Sequence, residues 1–162
     1  MAEGKTIAII DDDLASVEVL LKFLRKAGHQ VHYFYDGLSG FDFVRNARPD
    51  LVVSDMLLPK LHGLDLCRRI KSDKDLCRIP VVLMTGVYRD PRHKSEVTDA
   101  GADAFFTKPF DLGRTINTLQ EMIGEGAVEV FHDEVQDELE HIAKAYLVAL
   151  PGKLTEIEIL LE

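Results

Sequence analysis

Five strand signals alternate with five helix signals over the first 124 residues. That order predicts an α/β fold, a doubly wound parallel sheet of five strands with helices on both faces. Two observations carry the prediction. The strand candidates at 6–10, 51–54 and 80–84 are short, almost unbroken apolar runs, as expected of strands covered on both sides. Between strands, apolar residues recur three and four apart, as in Val17, Leu20, Leu21 and Leu24, the period of a helix with one buried stripe. A chain of 162 residues has room for one such domain and a short appendage.

The first strand, 6–10, ends abruptly in Asp11, Asp12 and Asp13. Asp13 is placed to cap the helix that follows, and Gly28 stands where that helix should end. A second strand is expected at 31–35. Leu38, Phe41, Phe43 and Val44 mark a short helix that stops before Pro49. The third strand delivers Asp55 at its end, and a loop with Pro59 and Gly63 leads into a helix marked by Leu64, Cys67 and Ile70. The fourth strand carries Thr85 and Gly86 at its tip. A polar helix is expected at 91–100, a short fifth strand at 104–106, and a helix at 112–123 with Ile116, Leu119 and Ile123 inward.

Composition narrows the class further. The chain is 46% hydrophobic and 29% charged, a globular balance that excludes disorder and fibrous architectures. No apolar run approaches the ~20 residues that cross a bilayer, and residues 1–5 lack the basic and apolar stretches of a signal peptide. A soluble cytoplasmic protein is expected. The formal charge of −9 is unevenly spread, since residues 1–124 hold 18 acids and 17 bases whereas 125–162 hold 10 acids and 2 bases. Such a tail repels phosphate backbones and anionic lipid, so neither nucleic acid nor membrane is an expected partner. Cys67 and Cys77 lie in charged sequence surroundings without metal-ligand spacing and are read as free thiols.

In open parallel sheets, ligands bind beyond the carboxyl ends of the strands, so the polar residues there are the ones to collect. They are Asp11 and Asp12 after strand one, Asp55 after strand three, Thr85 after strand four and Lys108 after strand five. Three gathered carboxylates repel one another and call for a cation, and hard oxygen ligands with room for water suit Mg²⁺. Lys108 and the Thr85 hydroxyl add a positive charge and a donor for an anionic group. The set suits phosphoryl chemistry on a carboxylate.

The segments 7–13 (IAIIDDD), 50–59 (DLVVSDMLLP) with Gly63, 84–86 (MTG) and 101–110 (GADAFFTKPF) together resemble the receiver domain of bacterial response regulators, over about residues 5–124. The resemblance implies a flavodoxin-like, CheY-like sheet with strand order 2-1-3-4-5. It implies that Asp55 accepts phosphate from a histidine kinase or a histidine phosphotransfer protein in a two-component phosphorelay. It further implies that Asp11 and Asp12 form the acidic pair, that Mg²⁺ is held by Asp12, Asp55 and the backbone carbonyl of Leu57, and that Thr85 and Lys108 contact the phosphoryl oxygens. Phe105 takes the place of the rotating aromatic switch, so that phosphorylation would alter the surface of helix four, strand five and helix five. In such a domain catalysis is confined to self-phosphorylation from small phosphodonors and self-dephosphorylation.

Two other functions compete. In an aspartate-nucleophile phosphatase, Asp11 and Asp13 would be nucleophile and acid, but Ala15 stands where that class has Thr or Val. A receiver used only as a scaffold would not require the intact set of Asp11, Asp12, Asp55, Thr85 and Lys108. Against the family pattern, Gly86 replaces a more usual alanine, and Leu57 and Val87 put apolar side chains where water reaches the phosphoryl group, which predicts slow self-dephosphorylation. The stretch from Thr85 to Lys108, with Tyr88, Arg89, Pro91 and Arg92, is one residue longer than usual. His29, His32, His62 and His93 are expected on solvated turns and loops.

Residues 1–124 are thus read as the receiver and 125–162 as an acidic helical extension. Val135, Leu139, Ile142 and Tyr146 form an apolar stripe at spacings of four, three and four, Pro151 and Gly152 break it, and Leu154, Ile157 and Leu161 continue it. Such a stripe needs a surface to cover, either the receiver, a further domain or a second copy of the chain. Residues 145–161 also resemble the opening helices of a histidine phosphotransfer domain. His132 and His141 are read as exposed helical histidines. With no DNA-binding motif in the chain, the expected output is contact with another protein.

Overall fold

The computed structural model describes residues 4–86, 91–108 and 111–124. The expectations for Val87, Tyr88, Arg89 and the extension at 125–162 lie outside the described residues. Ten elements alternate strictly: β1 (Thr6–Ile10), α1 (Leu14–Lys26), β2 (Gln30–Phe34), α2 (Gly37–Ala47), β3 (Leu51–Asp55), α3 (Gly63–Ser72), β4 (Val81–Thr85), α4 (Pro91–Asp99), β5 (Ala104–Thr107) and α5 (Leu112–Met122). The strands form one sheet in the order β2-β1-β3-β4-β5, with every pair parallel. The doubly wound fold expected from the sequence is the one observed.

Burial explains the apolar runs. Every residue of β3 and β4 is buried, as are the last four of β1. Alternation along β1 divides these side chains between the two faces. Ala8 and Ile10 join a cluster with Val44, Val52, Met56, Leu66, Ile70, Leu83 and Val97, while Ile7 and Ile9 point the other way. On α1 the buried residues are Val17, Leu20, Leu21 and Leu24, the stripe read from the sequence. Each such aliphatic side chain contributes roughly 1.5–3 kcal/mol when withdrawn from water.

Several boundaries shift by one residue for identifiable reasons. Strand β2 begins at Gln30, whose N–H donates to the Lys5 carbonyl at 2.9 Å, and ends at Phe34, leaving Tyr35 outside the ladder and exposed. Strand β4 starts at Val81 because Pro80 has no N–H to give; the Val81 N–H is taken by the Asp103 carboxylate at 2.8 Å. At its other end, Thr85 pairs with Thr107 and so belongs to the strand. Gly28, at φ +96°, terminates α1 in the left-handed region as expected.

Two expectations are corrected. Asp13 occupies the N-cap position of α1, but its side chain caps nothing; instead its N–H donates to Asp11 Oδ1 at 2.9 Å and its carbonyl accepts from Ser16 Oγ at 2.9 Å. Cys67 is a free thiol as expected, and it is fully buried on the inner face of α3, with Sγ 3.4 Å from the Ala100 carbonyl. Burial raises its thiol pKa to about 11, so it remains a protonated core residue. His29 is likewise buried rather than solvated, with Nδ1 accepting the Lys5 N–H at 3.1 Å. His62 caps α3 through Nδ1 at 3.4 Å from the Leu64 nitrogen. Among the described residues, no helix is long and apolar enough to cross a membrane.

Candidate functional site

Strand β1 hands the chain to Asp11, whose N–H still follows the ladder by donating to the Phe34 carbonyl at 3.0 Å. Its side chain is fully buried. That burial is tolerated because both oxygens are engaged: Oδ1 accepts from the Asp13 N–H, while Oδ2 accepts from Ser16 Oγ at 3.0 Å and from Lys108 Nζ at 2.6 Å. The next residue, Asp12, is exposed. Asp55, the last residue of β3, is buried, with Oδ1 accepting the Met56 N–H at 3.0 Å. Asp11, Asp12 and Asp55 each bring a carboxylate oxygen to within 4.8 Å of the others.

The close approach of these loops has a steric condition at Gly63, the first residue of α3. A Cβ there would lie 2.1 Å from the Asp55 carbonyl oxygen, so only glycine lets α3 start this near the end of β3. The Gly63 N–H closes the loop by donating to the Met56 carbonyl at 2.9 Å. Lys108 is fixed from the other side of the sheet, its N–H donating to the Thr85 carbonyl at 2.7 Å. Its ammonium then reaches Asp11 and Ser16 and lies 3.8 Å from Asp55 Oδ1.

The electrostatic consequence falls on Asp55. Burial raises its pKa to about 6, Lys108 opposes that rise, Asp11 reinforces it, the Met56 N–H opposes it and Asp12 reinforces it. A carboxylate held this way gains from any cation that enters beside it. Burial and the Asp11 charge likewise push the Tyr33 phenol upward, so Tyr33 stays protonated and donates to the Asp11 carbonyl.

Of the residues singled out in the sequence, Asp11, Asp12, Asp55 and Lys108 converge on one point. Thr85 is buried at the end of β4 and joined to Lys108 through its backbone. Leu57 lies in the loop two residues beyond Asp55 with its side chain exposed. Phe105 sits within β5 opposite Leu83, half-buried against the core cluster. Ser16 and Tyr33 belong to no motif and were not foreseen. The signal for Ser16 was available, since a helix starting at Leu14 returns its first turn over the strand end it has just left.

The sequence matches the response regulator receiver domain family over residues 7–120, and the chain belongs to that family. It is 37% identical over 106 residues to the DNA-binding dual master transcriptional regulator RpaA of Synechocystis, covering 65% of this chain and 44% of that protein. The chain spans about half the length of the curated relatives it matches. Among solved structures, a putative response regulator from Chloroflexus aurantiacus superposes with a TM-score of 0.70 at 27% identity, covering 76% of this chain and all of that one. The receiver domain of the sensor histidine kinase PA1611 from Pseudomonas aeruginosa, solved with magnesium coordinated in its active-site cleft, superposes with a TM-score of 0.67 at 25% identity over 75% of this chain and 99% of that one.

Proposed function

We propose that the chain is a phosphoacceptor receiver in which Asp55 takes a phosphoryl group from a histidine kinase or histidine phosphotransfer protein. The observation that carries this reading is the placing of Asp55 within reach of an exposed acid, a buried acid and a lysine ammonium, at the strand-end crevice of a receiver fold. The donor set is all hard oxygen and suits Mg²⁺, with Asp12, Asp55 and the Leu57 carbonyl as ligands and Asp11 beside them. Bound there, the ion would supply charge neutralisation for the transferred group and its oxygens.

The chain's own residues do the rest. An Asp55 oxygen attacks phosphorus in line, the bond from phosphorus to the donor imidazole nitrogen breaks, and the nitrogen keeps its electron pair. Lys108 swings the short distance from Asp11 toward the phosphoryl oxygens, and the Thr85 hydroxyl donates to another of them. The movement of Thr85 vacates space that Phe105 enters, shifting the population of two arrangements of the α4, β5 and α5 surface. A protein partner reads that surface, and the cytoplasm is the compartment this pathway requires.

A surface suited to the donor surrounds the crevice. The exposed large hydrophobic residues among those described are Leu14, Tyr35, Leu38 and Leu57, and all four follow the carboxyl ends of β1, β2 and β3, which are adjacent in the sheet. Such a rim favours a helical donor that brings its histidine to Asp55 by burying apolar surface around it.

The phosphatase alternative is disfavoured by the family and by Asp11 itself, which is fully buried and closed off by Lys108. The scaffold alternative is disfavoured by the assembled site. Incubation with acetyl phosphate and Mg²⁺ followed by intact mass measurement tests the proposal: one phosphoryl adduct, absent in Asp55→Ala, is expected. No adduct, or one that survives that substitution, overturns it.

A further inference from the structure

Lys108 Nζ has three protons to donate, and its surroundings supply three oxygens at unequal distances. Asp11 Oδ2 is at 2.6 Å, Ser16 Oγ at 3.0 Å and Asp55 Oδ1 at 3.8 Å. The Ser16 hydroxyl has one proton and two lone pairs. Since the ammonium can only donate, Ser16 accepts from it and gives its own proton to Asp11 Oδ2 or to the Asp13 carbonyl, both within 3.0 Å. The serine is thus hydrogen-bonded on both sides, held by the start of α1 and holding the lysine that follows β5, 92 residues away in sequence.

We propose that Ser16 is a positioning residue for phosphoryl transfer, a neutral tether that keeps the Lys108 ammonium beside Asp55 when the Asp11 charge is taken up by a cation. This rests on the reading of Asp55 as phosphoacceptor. The reason is electrostatic. Asp11 draws Lys108 by charge, and that attraction weakens once a divalent ion shares the carboxylate cluster. A hydroxyl lone pair is unaffected by that exchange. It keeps the ammonium within hydrogen-bonding reach, yet as an uncharged acceptor it competes only weakly with an incoming phosphoryl oxygen.

The test compares the full-length protein with Ser16→Ala and Ser16→Thr, using phosphoramidate as donor at saturating Mg²⁺. The alanine variant should lose about tenfold in maximal phosphorylation rate, the size of one charge-assisted hydrogen bond partly replaced by water, with donor KM and Mg²⁺ affinity changed less than about twofold. Ser16→Thr, which keeps the hydroxyl, should restore the rate. Proton exchange of the Lys108 ammonium, followed by nitrogen NMR without Mg²⁺, should quicken in the alanine variant alone. A merely structural role would lower thermal stability without moving the ammonium signal. A rate within twofold of the parent in Ser16→Ala, or equal losses in the alanine and threonine variants, overturns the proposal. A parent that takes no phosphate from any donor overturns the phosphoacceptor reading instead, and the exchange measurement still decides whether Ser16 holds Lys108.

Discussion

Lys108 Nζ lies 2.6 Å from Asp11 Oδ2 but 3.8 Å from Asp55 Oδ1, so in the absence of phosphate the cation of this site belongs to the buried acid and not to the proposed nucleophile. Replacing it isolates both roles. In Lys108→Met, Asp11 keeps only the Asp13 N–H and the Ser16 hydroxyl. Breaking a buried pair from one side costs about 3–5 kcal/mol, and the two remaining donors bring the expected loss to the low end of that range. Urea unfolding without divalent ions measures it. Phosphoryl uptake should fall by about 100-fold or more, because the charge on the equatorial oxygens loses its counterpart.

Asp55 gives the opposite sign. Its pKa of about 6 in the folded protein lies above the ordinary 3.8, so folding favours its protonated form. Its contribution to stability is therefore fully present below about pH 4 and is lost as pH rises through about 6. Asp55→Asn removes that loss. Without Mg²⁺ the variant should be more stable than the parent at neutral pH, with a difference that grows between pH 4 and 6 and is level above. Mg²⁺ affinity of the parent should rise over the same window, as the ion displaces a proton. A stability difference independent of pH would show that Asp55 is not the group involved.

Gly63 tests how tightly the loops must close. A Cβ at this position meets backbone, at 2.1 Å from the Asp55 carbonyl oxygen and 2.8 Å from the Met56 Cα, and backbone cannot rotate away as a side chain does. Gly63→Ala should cost more than about 2 kcal/mol and should depress phosphorylation by shifting Asp55. Equal stability and rate in the variant would mean that α3 can start farther from β3 without consequence.

The positions of Asp11, Asp55 and Lys108 were legible because each closes an apolar strand run, and strand ends share one edge of a parallel sheet. The order of the strands was not legible from pattern alone; it came with the family resemblance and is the one observed. What the sequence concealed were contacts perpendicular to the chain's periodicity. Asp13 has the identity of a cap, yet the Ser16 N–H that its side chain would accept goes to its backbone carbonyl at 3.2 Å instead. Cys67 and His29 have polar neighbours in sequence but are buried, since a helix face and a strand start are defined by residues three or more positions away. The first turn of α1 places Ser16 over the end of β1, but no sequence pattern pairs it with a lysine 92 residues later.

Leu57 is expected to influence the lifetime of the phosphorylated product. Its exposed apolar side chain stands two residues beyond Asp55 and offers no hydrogen bond to orient an attacking water. Aspartyl phosphate should therefore decay slowly, over minutes or longer rather than seconds, in the purified protein. Leu57→Asn supplies a donor and an acceptor at that place and should shorten the lifetime several-fold, as followed by phosphorus NMR or by loss of the mass adduct.

The apolar rim makes a prediction that separates docking from chemistry. Tyr35 and Leu38 lie just beyond the carboxyl end of β2, on the far side of β1 from Asp55, and Tyr35 packs edge-on against Tyr33 with ring centroids 4.8 Å apart. Replacing both with serine removes apolar contact area while adding no charge. A small phosphodonor needs only the crevice, so its rate should be unchanged within about twofold. A helical phosphohistidine donor must bury the rim, and losing one aromatic and one aliphatic contact of roughly 1–2 kcal/mol in total should lower the transfer efficiency by about tenfold, mainly through KM. Equal losses with both donors would mean that the double variant disturbs Asp55 itself, and no loss with either would remove β2 and α2 from the docking surface, leaving Leu14 and Leu57 to carry it.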